Sequence, residues 1–126
     1  MRRKVLIRET VRGTVPRIPF ERVARSIFAT DYELSLVVCG DALARRMNRA
    51  YRKKSYAANV LSFPLDKNTG EIFLNVRAAA REAKRFNITL KERLTLLFVH
   101  GCFHLKGMGH GSRMEKAEER VLRKFR

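Results

Sequence analysis

Acidic residues are scarce in this chain. Twelve Asp and Glu stand against 28 Lys and Arg, for a net charge of +16 over 126 residues. Charge of that density draws polyanions, through phosphate contacts and counterion release, and nucleic acid is the expected partner. Cysteine is scarce as well. Cys39 and Cys102 are too few for a disulfide framework, and a reducing cytoplasm is the expected compartment. No apolar run reaches the length of a membrane span. The opening MRRKVLIRETVRG has basic residues without the apolar stretch of a signal peptide. No strongly apolar interfacial helix offers a membrane anchor. Repeats, low-complexity segments and linkers are missing too, so one domain over residues 1–126 is expected, with 45% hydrophobic residues to build its core.

Histidine is the most informative scarcity. There are three, His100, His104 and His110, all in the run HGCFHLKGMGH. The first gap is one helical turn and puts two imidazoles on one helix face. The second gap holds Gly107, the residue type that ends a helix in a left-handed conformation and can swing a third imidazole back. Three protein ligands leave one coordination position open, the arrangement of catalytic rather than structural zinc. The spacing is that of metzincin proteases, but they need Glu directly after the first His. Here that position is Gly101, which transfers no proton, so peptide hydrolysis is disfavoured. Cys102 falls on another helix face from the histidines and reads as a small packed apolar residue.

Strands are expected at KVLIRETV, YELSLVVCG, NVLSFPL and EIFLNV, the last two joined by the turn-forming DKNTG. Pro64 makes the third an edge strand or a strand terminus. Helices are expected over PFERVARSIFA, over DALARRMNRAYR with Asp41 as N-cap, and over the alanine-rich RAAAREAKRF, which Asn87 breaks. Capping boxes at Thr89/Glu92 and Ser112/Glu115 open two more. The first of these carries His100 and His104. The fold class is therefore α+β: a small mixed sheet of about four strands with helices packed against it and a metal-binding helix near the C-terminus.

HGCFHLKGMGH resembles the signature H-G-x-L-H-L-x-G-Y-D-H of the YbeY endoribonucleases. MNRAYRKKSYAANVLSFP is similar to that family's L-N-x-x-Y-R-x-K…T-[DN]-V-L-S-F-P segment, and GEIFLN to its G-[DE]-I-x-I strand. The resemblance implies a zinc-dependent, single-strand-specific endoribonuclease acting in 16S rRNA maturation and ribosome quality control, at the small ribosomal subunit. It implies one Zn2+ on His100, His104 and His110, with Arg52 at the reacting phosphate. Asn59, Ser62 and Phe63 fall on the cleft-lining segment, and Asn59 either positions RNA or caps a turn. Glu71 falls where a carboxylate could hydrogen-bond a ligand histidine, or stand exposed at a strand start. Lys53, Lys54, Arg77, Arg81 and Arg85 would hold flanking phosphates. Attack by water and attack by the RNA 2′-OH both stay open. Two departures matter: Met108-Gly109 stands where the family has Tyr-Asp, and both ends look short for the family. The alternative is a non-catalytic, metal-stabilised rRNA-binding or ribosome-binding factor.

Overall fold

Residues 5–125 are described by the computed structural model. Lys4, where the first expected strand begins, lies outside them. The elements run β1 (Val5–Glu9), α1 (Phe20–Arg25), β2 (Glu33–Cys39), α2 (Asp41–Arg52), β3 (Val60–Asp66), β4 (Thr69–Asn75), α3 (Val76–Phe86), α4 (Leu90–Leu105) and α5 (Ser112–Lys124). The four strands form one sheet in the order β1-β2-β4-β3. β1, β2 and β4 are parallel, and β3 pairs antiparallel with β4, so the sheet is mixed and the fold α+β as expected. The β3–β4 connection is the expected turn, with the Asn68 N–H donating to the Asp66 carboxylate at 2.8 Å. Pro64 lies on β3, an edge strand, where a missing donor is tolerated.

Side-chain alternation divides the sheet into two faces. Leu36, Val38, Ile72 and Leu74 face a large core completed by Phe20, Val23, Leu94, Phe98, Val99, Cys102, Met114 and Val121. Val37, Leu61 and Phe73 face a smaller one with Ala44 of α2. α4 is the central helix of the first face. It buries Leu94, Leu97, Phe98, Val99, Gly101, Cys102 and Phe103, so nearly every side of it meets protein. Its start is the expected capping box: Thr89 Oγ1 accepts from the Glu92 N–H at 3.0 Å, and the Glu92 carboxylate accepts from the Thr89 N–H at 2.9 Å. No described helix is long and apolar enough to cross a membrane.

Three expected boundaries move. Gly40, not Asp41, is the N-cap of α2. Asp41 stands in the first turn, where a carboxylate complements the helix dipole. Ser112 is the first residue of α5 rather than its cap, and Gly111 in the cap position makes no side-chain bond. α1 ends at Arg25, short of the expected Ala29. The Ser26 hydroxyl donates to the Val23 carbonyl at 2.7 Å, a local bond that competes with helix continuation.

Candidate metal centre

α4 carries His100 and His104 on adjacent turns, with ring centroids 4.5 Å apart. The helix then ends in a Schellman motif: the Gly107 N–H bonds the His104 carbonyl at 2.9 Å and the Met108 N–H bonds the Phe103 carbonyl at 3.1 Å. Gly107 has φ +86°, which an L side chain rarely adopts. Met108 packs back on the core. The reversal returns His110 to within 5.2 Å of the His100 ring and 4.8 Å of the His104 ring, centroid to centroid. One ligand atom from each of the three lies within 4.8 Å of the others.

Chemistry and spacing both fit a metal ion. The Nε2 atoms of His100 and His104 stand 3.1 Å apart. Ligands on a tetrahedral ion with metal–nitrogen distances of ~2.0–2.1 Å are themselves roughly 3.3 Å apart. His100 turns its Nδ1 to Glu118 of α5 at 2.6 Å, which leaves Nε2 for the shared space. This is how ligand imidazoles are oriented and made more basic. Burial, then repulsion from His100 and His110, lowers the His104 pKa and favours the neutral ring a metal needs; a backbone hydrogen bond with Met108 and the charge of Glu118 act weakly the other way. Cys102 contributes nothing here. It is fully buried, and burial holds its thiol protonated by pushing the pKa well up.

A cleft of about 440 Å³ opens over the three histidines, lined also by Arg52, Asn59, Val60, Leu61 and Ser62. Arg52 comes from the last turn of α2, on the far side of the sheet from α4. Asn59 precedes β3 and donates to the Glu82 carboxylate at 3.1 and 3.3 Å, and Arg93 in turn pairs with Glu82 at 2.9 Å. Ser62 donates to the Gly101 carbonyl at 2.9 Å. Gly101 is where α4 touches the sheet. A Cβ there would meet Ser62 Oγ at 3.0 Å, Val60 Cγ2 at 3.1 Å and Ile72 Cδ1 at 3.3 Å.

Seven expected residues do not line the cleft: Lys53, Lys54, Phe63, Glu71, Arg77, Arg81 and Arg85. Glu71 shares its strand face with Phe73, the face turned away from α4, so it cannot reach a histidine; it accepts from the Ser35 hydroxyl at 3.2 Å instead. The carboxylate at the centre is Glu118. Arg77 and Arg81 lie outside the cleft lining and have partners of their own. Arg77 donates to the Arg12 carbonyl at 2.9 Å, and Arg81 forks onto Asp41 with two bonds of 2.9 Å. Arg85 lies over the Phe86 ring at 5.1 Å, also outside the cleft lining. Lys53 and Lys54 directly follow Arg52 and are exposed.

An α+β fold that gathers three imidazoles and an arginine in one cleft defines a candidate metal-dependent hydrolase of phosphate substrates. The family model described as Endoribonuclease YbeY matches residues 5–126. Endoribonuclease YbeY of Methylobacillus flagellatus is 40% identical over 94 residues, covering 72% of this chain and 63% of that protein. The protein of the same name from Acidovorax sp. (strain JS42) is 34% identical over 111 residues, covering 86% of this chain and 73% of its own. The solution structure of TM1509 from Thermotoga maritima shares the fold, with a TM-score of 0.64 at 20% identity over 92% of this chain and 86% of that one. The chain belongs to the endoribonuclease YbeY family of metal-dependent RNA-cleaving hydrolases.

Proposed function

We propose that residues 1–126 form a single hydrolase domain that cuts single-stranded RNA in the cytoplasm. Its work is 16S rRNA maturation and ribosome quality control, at the small ribosomal subunit. The observation that carries this reading is the meeting of His100, His104, His110 and Arg52 in one cleft of a chain with net charge +16. The three histidines would hold one zinc ion, which supplies Lewis-acid stabilisation of charge on a phosphoryl oxygen. Arg52 donates paired hydrogen bonds to the non-bridging oxygens as negative charge builds on them. Asn59, steadied by Glu82, presents an amide to the substrate at the cleft wall. Lys53 and Lys54 hold the neighbouring phosphates. Glu118 keeps the His100 ring in register, and the Ser62–Gly101 bond fixes the helix that carries it.

The test is cleavage of single-stranded rRNA fragments by zinc-loaded protein, with His104→Ala and Arg52→Ala purified in parallel to exclude contaminating ribonuclease. Wild type should cut and His104→Ala should be silent. Arg52→Ala should lose on the order of 100-fold or more, the usual cost of one donor to a developing oxyanion. A wild-type protein that binds these fragments without cutting them would turn the reading into that of a non-catalytic binding factor.

A further inference from the structure

The cations of α2 lead along one helix into the histidine cleft. Among the described residues, Arg46, Arg49, Arg52, Lys53 and Lys54 make no ion pair; exposed cations elsewhere, such as Lys116 and Arg120 of α5, make none either, but the α2 group runs up to the cleft at Arg52. Arg45 has only the field of Asp41, a carboxylate Arg81 already holds. Arg45, Arg49 and Arg52 recur at i, i+4 and i+7, so they form one stripe about 10 Å long that ends in the cleft. Like charges one turn apart destabilise a helix, so this stripe favours an anionic occupant.

An aromatic step adjoins it. Tyr51 is 66% exposed, yet its ring is anchored 5.3 Å from Phe63, which packs 5.8 Å from the buried Phe73. The helix ends at Lys53 in a left-handed cap, and the buried Asn48 amide donates to the Tyr56 carbonyl at 3.0 Å, which pins the following turn. Phosphate-binding cations beside an exposed, rigidly backed ring make a platform for unstacked bases. An acidic protein surface would need the cations but not the ring.

We propose that single-stranded RNA runs from the cleft along α2, with Arg52, Arg49 and Arg45 on phosphates and one base stacked on Tyr51. This rests on the ribonuclease reading of the cleft and names the path of its substrate. The test is binding of a fluorescent 2′-O-methyl RNA oligonucleotide, which lacks the free 2′-OH, to metal-free full-length protein over a range of salt concentrations. Arg45→Gln/Arg49→Gln should weaken binding and flatten the plot of log affinity against log salt by about 0.7 per lost phosphate contact. Lys116→Gln/Arg120→Gln on the exposed face of α5 should leave the slope unchanged. Equal flattening by both pairs would overturn the track in favour of a diffuse basic field. Tyr51→Leu should weaken binding about tenfold, with Tyr51→Phe close to wild type.

The chain has no tryptophan, so the fluorescence of Tyr51→Trp reports the stacking position alone. Quenching by single-stranded but not duplex RNA supports the step; no quenching overturns it. Competition by poly-glutamate as effective as by RNA would give the stripe to an acidic protein and sink the proposal. His104→Ala should abolish cleavage of unmodified RNA. Loss of cleavage there bears on the ribonuclease reading, and loss of slope in the α2 pair bears on the track.

Discussion

Glu118 lies on the apolar stripe of α5, between the buried Met114 and Val121 and beside Ala117. An acid in such a stripe is anomalous unless it has a partner, and its partner is His100 at 2.6 Å. Glu118→Gln keeps the shape and removes the charge; it should lower zinc affinity about 10- to 100-fold, read by titration against a chromophoric chelator. An unchanged affinity would leave Glu118 a packing residue only. Gly109 has nothing within 4 Å of a built Cβ, so Gly109→Asp should fold with an unaltered melting temperature. The added carboxylate should raise metal affinity in the same titration. The histidines could be read from sequence because residue type, helical spacing and Gly107 agree. Glu118 could not, because its role comes from how α5 lies on α4; the sign available was the acid inside the stripe. Glu71 misled for the opposite reason, since strand parity turns it to the wrong face.

At the scale of elements, the centre depends on two glycines with different duties. Gly107 holds a positive φ, and Gly107→Ala should cost about 1–2 kcal/mol by thermal or denaturant unfolding. It should also weaken metal binding, because His110 follows the turn. Gly101→Ala should push α4 off β3, costing roughly 1–3 kcal/mol as an overpacked contact, and displace both helical imidazoles. Asp41 ties α2 to α3 by accepting from Arg81 and Asn75, and those bonds hold its carboxyl down at about 2. The unfolded value is near 3.9, so the stabilisation is complete above pH ~4 and is lost as pH falls from there towards 2. Acid unfolding of Arg81→Ala should lose part of that slope. The span of α2 was readable from its start at Asp41 and its periodicity. The caps were misassigned because Gly40 and Gly111 take positions for which a nearby Asp or Ser seemed better suited.

For the whole molecule, element order and fold class could be read along the chain, but the strand order β1-β2-β4-β3 could not, since no local signal says which strand inserts next to β2. The basic charge was plain in composition, while the meeting of the end of α2 with the histidines in one cleft needed the folded neighbours. Metal added to wild type should raise the melting temperature, and His104→Ala should abolish the rise, because an ion that binds only the folded chain stabilises it by mass action. The cleft draws on Arg52, β3, α4 and, through Glu118, α5, so its parts are scattered along the chain. That scatter sets an order in time. During synthesis the cationic stretch from Arg45 to Lys54 emerges long before any imidazole. At 5–20 residues per second, adding the residues from Arg52 to Glu118 takes about 3–13 s. Through that interval a nascent chain displays the cations of α2 without a complete centre.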